Sequence, residues 1–596
     1  MNSSSQDDNT QVTDIWGSLK RLSKYLTLYK IRLSVAIILM IGFSVCIGVM
    51  PALMGYVTDI ITGNGTIEEL TNIIAIFILD AVILWICGHF SQRILSDITQ
   101  EALYSLRTDL FNHMQSLSLG FFDRQPIGEL MSRVSNDTDV IDQFFSNGIQ
   151  QTLQSVLTIV VVTLIMLILS PFMTFIVYLG VIGMIIISAV ITRISGPAFE
   201  LMQEQLGELN GYVEERLYGE KVIKAYQQQE RSIEQLSERS LKVSQTGGKA
   251  EFVALISSPI AGVLQNLQII MVLLVGGWMV ISGELAIGLM VAFLGLASNI
   301  SAPLSQIFSE YVLLISAAAG AGRVFQIMDE EPVVADKKNA RLMPQIKGEV
   351  EFNHVDFSYV PGRRILRDNT FKALPGQVFG LCGPTGAGKS TIINILTRYY
   401  DIENGSISVD NERIDDVQQD SLRIQIAQVL QEPFLFSGTI IDNLMYARED
   451  ATEEECIAAA TQAGADEFIL AQYDGYNTIL TDGGSNLSQG QRQMLTIARA
   501  MVAHPRLLIL DEATSNVDTR TEKIIQTGLL SLQEGKTSFI IAHRLSTIRH
   551  ADCILVINNG EIVEHGNHNE LMKMEGFYYN LYMSQFRGKL EGRIAV

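Results

Sequence analysis

Six stretches of this chain are long and apolar enough to dictate its fold, near residues 33–57, 70–90, 150–170, 172–194, 252–282 and 284–315. About 20 apolar residues coiled as a helix cross the hydrocarbon core of a bilayer, and a helix satisfies its own backbone there without help from water. The N-terminal half is therefore expected to be an all-α, polytopic membrane domain of six helices. Ser170 and Pro171 form the whole break between the third and fourth spans, and Ser282, Gly283 and Glu284 that between the fifth and sixth. Turns that short join antiparallel neighbours. Residues 346–596 change character, alternating short apolar runs with helical patterns at ordinary surface charge, which predicts an α/β domain. The expected division is a tail and interfacial helix over 1–31, a membrane domain over 32–330 with long cytoplasmic helical extensions, a linker over 331–345, and the α/β domain over 346–596.

Basic residues set the orientation. Lys20, Arg21, Lys24, Lys30 and Arg32 precede the first span, and Arg93, Arg107, Arg124, Arg133, Lys221 and Lys224 lie in the long segments after the second and fourth. The turns between spans one and two, three and four, and five and six hold no Lys or Arg, which puts them outside and both termini in the cytoplasm. The first fifteen residues are polar and acidic and do not read as a signal peptide. Trp16, Leu19, Leu22, Tyr25, Leu26 and Tyr29 recur at helical spacing among basic residues, as in an elbow helix lying on the inner leaflet of the lipid bilayer.

Segments 91–149 and 195–251 are rich in Glu, Gln, Arg and Leu and are expected to continue the membrane helices into the cytosol. Gly120–Glu129 reads as a turn with exposed aromatic residues, and Gly219–Tyr226 as a second turn; both suit docking knobs. Asp80 reads as the one acid embedded in an apolar run and so marks a candidate functional position. Gln265, Asn266, Gln268, Asn299 and Gln306 read as helix-to-helix hydrogen-bonding amides. The formal net charge of −21 argues against a nucleic-acid partner, which would demand a basic surface. Cys46, Cys87, Cys382, Cys456 and Cys553 show no paired spacing and are expected as free thiols, and the His565/His568 pair lacks neighbouring ligands for a metal.

The α/β half carries a strong motif. Gly383, Pro384, Thr385, Gly386, Ala387, Gly388, Lys389 and Ser390 match GxxxxGK[ST], after the apolar run Val378–Cys382 and before a helical run beginning at Thr391. In such a P-loop the backbone N–H groups curl around a β-phosphate, Lys389 reaches the β and γ oxygens, and Ser390 offers its hydroxyl to Mg2+. Downstream, Leu507, Leu508, Ile509 and Leu510 form an apolar strand ending in Asp511 and Glu512, placing one carboxylate for the Mg2+ shell and one for an attacking water.

With these motifs in place the chain resembles the ABC family. Leu487, Ser488, Gln489, Gly490 and Gln491 look like its signature, Tyr359 like the A-loop aromatic that stacks on adenine, and Gln431 like the Q-loop glutamine that senses Mg2+. Ser515, Asn516, Val517 and Asp518 resemble the D-loop, and His543 the switch histidine that contacts the γ-phosphate. Six spans before one such domain, with GFFDRQPIGELMSRVSNDTDVI after the second, are similar to the bacterial exporter half-transporters. The resemblance implies a P-loop ATPase domain with an α-helical subdomain, and two such domains sandwiching two ATP molecules head to tail. It also implies that the two cytoplasmic turns are coupling helices, and that Glu512 is the base toward water.

Export of amphipathic small molecules is the expected function, with lipid or peptide export as the alternative and an ATP-gated channel disfavoured by the intact Glu512 and His543. An importer and a peptidase-containing exporter fit less well, because both domains share one chain and no protease domain precedes the spans. Gln489 stands where the family usually has glycine, and Asn516 where it commonly has alanine, which favours a heterodimer with a second half-transporter over a homodimer. The expected location is a bacterial cytoplasmic membrane.

Overall fold

The computed structural model describes residues 15–63, 65–360, 362–481, 483–511, 518–542, 545 and 547–584. They fall into two compact units that interleave in sequence: Met1–Gln115 with Gly128–Asp329, and Ser116–Ile127 with Glu330–Val596.

The first unit is helical: α1 (Ile15–Thr27), α2 (Lys30–Thr62) and α3 (Ile67–Ser116), then, beyond the short α4 (Leu119–Arg124), α5 (Ile127–Ser132), α6 (Thr138–Gln143), α7 (Ile149–Leu169), α8 (Pro171–Tyr218), α9 (Glu220–Ala225), α10 (Gln229–Ile281) and α11 (Ile287–Met328). Among the described residues, six helical stretches are long and apolar enough to cross a membrane. The helices outrun the apolar stretches: α3 has 50 residues, α8 48 and α10 53. At a rise of about 1.5 Å per residue each is over ~70 Å long, roughly twice what a bilayer core requires. Two π-helical turns, Arg133–Asp137 and Phe144–Gly148, interrupt the path into α7.

Of the five amides expected to bind helix to helix, Gln268, Asn299 and Gln306 do so, whereas Gln265 and Asn266 make no such bond among the described residues. Pro51 has no N–H for the carbonyl of Ile47 one turn earlier in α2. The side chain of Asn299 in α11 donates to that carbonyl at 2.9 Å. Gln268 donates to the Val177 carbonyl at 3.2 Å and accepts from Ser301 Oγ at 3.0 Å. Further along the same pair of helices, a Cβ on Gly288 would lie 2.0 Å from the Gly55 carbonyl oxygen, so α2 and α11 approach backbone to backbone. There Asp59 Oδ1 accepts from the N–H of Gly288 at 2.6 Å and satisfies a donor in the first turn of α11. Val162, Met166, Met173, Val177, Phe293 and Leu296 fill the core between α7, α8 and α11.

Helix α1 covers most of the stretch expected as an elbow helix, and its Arg21 and Tyr25 are held by other parts of the same unit. Arg21 makes two bonds to the Asp329 carboxylate, at 2.5 and 2.9 Å, and lies 4.1 Å over the Phe325 ring; Tyr25 donates to Asp109 at 3.1 Å.

The second unit is built on two sheets. A four-stranded antiparallel sheet comprises β1 (Val350–Ser358), β2 (Arg364–Ala373), β4 (Asn404–Val409) and β5 (Glu412–Arg413), in the order β2-β1-β4-β5. The larger sheet has the order β12-β11-β3-β10-β9-β6, from β3 (Val378–Cys382), β6 (Ile426–Val429), β9 (Leu507–Asp511), β10 (Thr537–Ile541), β11 (Cys553–Asn558) and β12 (Glu561–Gly566). All its neighbours pair in parallel except β11 with β12. Strands buried on both faces read as continuous apolar runs, as Leu507–Leu510 of β9 do. A helical layer intervenes between β6 and β9, with the short pair β7 (Gly438–Thr439) and β8 (Ile479–Leu480) and the helices Ile440–Met445, Glu453–Gln462 and Gln489–Val502. Capping boxes close the starts of all three helices. The five cysteines are free thiols, and His568 Nδ1 lies 2.9 Å from the Tyr578 hydroxyl.

The segment Gly120–Glu129 departs from the expected exposed turn. It forms α4 and the start of α5, and α4 packs within the second unit, where Phe121 is 4% exposed. An aromatic pair with Gly120 before it and Asp123 after it carries a turn signal, but two long helices must reverse here, and a helical turn leaves fewer unpaired backbone groups than an open loop. The second turn is α9, whose Val222 is exposed beside Tyr218 and Tyr226.

Candidate nucleotide site

Parallel pairing aligns the strand ends. β3, β6, β9 and β10 all end at the same edge of the large sheet, the edge where α/β folds place ligands. The P-loop leaves β3, Asp511 closes β9, and Gln431 follows β6 in an exposed bend. Glu512, Ser515, Asn516, Val517 and His543 lie outside the described residues.

The loop conformation explains its glycines. Gly383, Gly386 and Gly388 take φ values of +150°, +80° and +106°, which L side chains resist. A Cβ on Gly383 would also lie 2.1 Å from the Ile557 carbonyl oxygen, whereas one on Gly386 would meet nothing within 4 Å. Helix α12 (Lys389–Leu396) starts two residues earlier than expected, so Lys389 and Ser390 lie in its first turn. The Lys389 side chain is buried, and its Nζ donates to the carbonyls of Gly383 at 3.0 Å and Pro384 at 2.9 Å. Ser390 is exposed and Thr391 buried. Open space beside Gly386, a helix start and a lysine against the loop fit a triphosphate. The hydroxyl of Ser390, the amide of Gln431 and the carboxylate of Asp511 are oxygen donors suited to a hard cation such as Mg2+.

Tyr359 is held from three sides. Its hydroxyl donates to Thr391 Oγ1 at 3.3 Å and accepts from Asn394 Nδ2 at 3.1 Å, which ties it to α12. Its ring stands edge-on to Phe357 and Tyr400, with centroids 4.8 and 4.9 Å away. The residue remains 41% exposed, leaving aromatic surface for a base.

The signature begins the helix Gln489–Val502. Ser488 is its N-cap: its Oγ accepts from the Gln491 N–H at 3.3 Å while its own N–H donates to Gln491 Oε1 at 2.9 Å. Gln489 is half-buried in the first turn, and Gly490 is buried. Asp518 is likewise committed to a cap, accepting from the N–H groups of Arg520 and Thr521 at 3.0 and 3.1 Å. Those bonds, led by Thr521, hold its carboxyl below the usual range. The P-loop, Gln431 and Asp511 share one sheet edge; Ser488–Gln491 lie on the helical layer and Asp518 on the next helix.

In the membrane unit the Asp80 carboxyl receives a hydrogen bond from the Cys46 thiol, while its Oδ2 is buried without a hydrogen-bond partner among the described residues. A second embedded acid went unnoticed in the sequence. Glu310 lies within the expected sixth span, where its Oε1 accepts from Gln306 Nε2 at 2.9 Å, and Gln306 also bonds Gln151 of α7. An acid in the apolar run 284–315 is a sequence signal of the same kind as Asp80. The Tyr400 hydroxyl also donates to the Asp123 carboxylate of α4, a bond without a sequence signal, since no local pattern links residues so far apart.

Comparison with known proteins agrees with this architecture. The ABC transporter transmembrane region profile matches residues 33–304, and the ABC transporter profile matches residues 366–515. The uncharacterised ABC transporter ATP-binding protein YfiC of Bacillus subtilis is 40% identical over 578 residues, covering 96% of this chain and 95% of its own. The fatty acid ABC transporter ATP-binding/permease protein of Mycobacterium bovis is 37% identical over 619 residues, covering 96% and 97%. An ATP-binding/permease protein of Bacillus subtilis, YgaD, provisionally named for multidrug export, is 35% identical over 593 residues, covering 96% and 99%. Among solved structures, a bacterial Atm1-family ABC exporter with ATP bound superposes with a TM-score of 0.77 at 27% identity, covering 94% of this chain and 99% of that one.

Proposed function

The chain belongs to the ABC transporter family, as an exporter that joins six membrane-crossing helices to its ATPase unit, and from that premise we propose that it exports amphipathic small molecules as one half of a heterodimer. Family membership carries ATP binding and ATP hydrolysis coupled to transport. The proposal adds the cargo, the partner and the residue roles, together with a bacterial cytoplasmic membrane in which the termini and ATPase unit face the cytoplasm. The distribution of Lys and Arg among the loops supports that orientation.

In this proposal Tyr359 stacks on adenine, the backbone of Gly383 to Gly388 surrounds the phosphates, and Lys389 and Thr391 stand at the start of α12 beside them. Water attacks the γ-phosphorus, its proton passes to Glu512, and the bond to the ADP oxygen breaks to leave ADP and inorganic phosphate. His543 contacts the γ-phosphate. Ser390, Gln431 and Asp511 would hold Mg2+, which when bound neutralises charge on the β and γ oxygens. Ser488, Gln489, Gly490 and Gln491, with Asp518, face the nucleotide held by the partner's P-loop.

The observation that carries the cargo class is how the spans use their polar groups. Asn299 and Gln268 are spent on helix-to-helix bonds, which leaves spans rich in Met, Leu and Ile with a few polar groups, among them the acid–amide cluster of Glu310, Gln306 and Gln151. Apolar surface with a few polar anchors suits amphipathic molecules. The name of the mycobacterial relative supports lipid export as the second reading. The test is expression of this chain alone and with a second half-transporter, followed by ATP-dependent uptake of an amphipathic dye and of a labelled fatty acid into proteoliposomes. Assembly and dye uptake only with the second chain are expected. A fully active dimer of this chain alone would refute the heterodimer, and uptake of the fatty acid but not the dye would refute the cargo.

A further inference from the structure

The adenine platform and the α4 turn are joined by a single side chain inside the second unit. Tyr400 packs its ring edge-on against Tyr359, with centroids 4.9 Å apart and planes at 88°. Both rings also meet the buried Phe357, at 4.8 Å from Tyr359 and 5.8 Å from Tyr400, so the three aromatics form a closed triangle. On its other side Tyr400 donates its hydroxyl to the carboxylate of Asp123 in α4. Its ring lies against the α4 backbone, since a Cβ on Gly120 would come within 2.9 Å of Tyr400 Cε1. Burial and the Asp123 carboxylate together push the Tyr400 hydroxyl well above the ordinary tyrosine range, so it remains a donor throughout the physiological range.

Helix α4 is itself braced. Phe121 is buried, its ring standing edge-on to Phe122 at 5.3 Å, and Arg124 donates to the Gly120 carbonyl at 3.0 Å and reaches Glu330 at 3.5 Å. The chain enters α4 from α3 through Leu117 and Ser118 and leaves it for α5, so a displacement of α4 is passed to membrane helices covalently. Edge-to-face aromatic pairs prefer a narrow range of geometries. A base stacked on Tyr359 restricts that ring, and the restriction passes to Tyr400.

We infer that Tyr400 is a positioning residue that transmits occupancy of the Tyr359 platform by an aromatic base to α4, and so to α3 and α5. The inference rests on the reading of Tyr359 as the base platform. It gives the base a role separate from that of the phosphates: a triphosphate lacking a base fills the P-loop yet leaves α4 unrestrained.

The experiment is hydrogen exchange of peptides covering residues 105–135 in the assembled transporter in nanodiscs. It is recorded without ligand, with a non-hydrolysable ATP analogue and with inorganic tripolyphosphate, and the analogue's Kd is measured alongside. In the wild-type protein the analogue is expected to slow exchange in these peptides at least fivefold, and tripolyphosphate to do so less than twofold. Tyr400→Phe keeps the ring and removes the hydroxyl; it should abolish most of the protection while the Kd stays within threefold. Asp123→Ala should do the same, and the double variant should be no worse than either single one, as for two ends of one bond. Full protection in Tyr400→Phe, absence of protection in the wild type, or a loss of protection that merely follows a tenfold loss of affinity would each overturn the inference. Tyr359→Ala separates the premise: an unchanged Kd in that variant removes the base platform itself, whatever Tyr400 does. Should Tyr400→Phe not fold, Asp123→Ala carries the same comparison.

Discussion

Gly383 and Gly386 separate what the ATPase fold requires from what the phosphates require. A Cβ on Gly383 would stand 2.1 Å from the Ile557 carbonyl oxygen, a backbone atom of β11 with no room to yield, at a φ of +150°. Overpacking costs about 1–3 kcal/mol and a left-handed backbone about 1–2 kcal/mol for an L side chain. Gly383→Ala should therefore lose several kcal/mol, a large part of the ~5–15 kcal/mol that holds a domain together. Gly386→Ala meets nothing within 4 Å and bears only the backbone strain at φ +80°. For a domain of this size about 1–2 kcal/mol lowers Tm by roughly 2–8 °C. Its methyl group, however, projects into the open space beside the loop where phosphate oxygens must approach the N–H groups. ATP affinity should fall at least tenfold, or about 1.4 kcal/mol. Thermal unfolding of the purified full-length protein and titration with a fluorescent ATP analogue read the two effects separately. Wild-type affinity in Gly386→Ala would place the phosphates outside this loop, and equal stability of the two variants would refute the packing argument.

Replacing the proposed base, Glu512→Gln, should retain ATP binding and lower turnover by two to four orders of magnitude, about 3–5 kcal/mol of barrier, in a phosphate-release assay; near wild-type turnover would remove Glu512 from that role. Glu310→Gln should lower uptake of a permanently cationic dye at least tenfold more than that of its neutral isostere, because among the described residues no Lys or Arg forms an ion pair with this acid. Asp80→Asn should affect both dyes alike, since its carboxyl faces Cys46, and a cation-selective loss would return Asp80 to the transport path.

Legibility in the sequence followed the range of the forces involved. Spans were readable because backbone hydrogen bonding in lipid leaves one solution, and the P-loop because its glycines answer to local φ angles. β3 and β9 were readable as apolar runs for the same local reason. The continuation of α3 and α8 past their apolar stretches was legible in composition, but their ends at Ser116 and Tyr218 were not, because tertiary packing decides where each helix stops. Asn299 shows the limit most clearly. Its amide could be read as polar glue, but its partner, the carbonyl released by Pro51, lies 252 positions away and is fixed by tertiary packing alone. The Tyr359–Tyr400–Asp123 chain has no sequence signal for the same reason, and Phe121 reads as exposed because its burial depends on α4 joining the second unit.

The structure also narrows what Gln489 can mean. The capping box at this helix start depends on Ser488 and Gln491 alone, and glutamine is a good helix former, so position 489 tolerates glutamine without cost to this chain's own fold. Its consequence must therefore lie in what meets the helix from outside. The first turn presents N–H groups with the positive end of the helix dipole, and the Ser488 hydroxyl, already an acceptor for Gln491, keeps its proton to donate to an anion. A half-buried glutamine in that turn stands where glycine would let a phosphate approach the backbone closely. In the proposed assembly this surface serves the partner's nucleotide, whereas Lys389, Ser390, Asp511 and Glu512 serve the other. The bulk at 489 then slows one site and leaves the second untouched. Two equal sites would lose about half their turnover when Glu512 is replaced in one chain of the pair. Unequal sites, with the faster one built on this P-loop, lose nearly all of it, so the remaining fraction measures how far Gln489 has unbalanced the two.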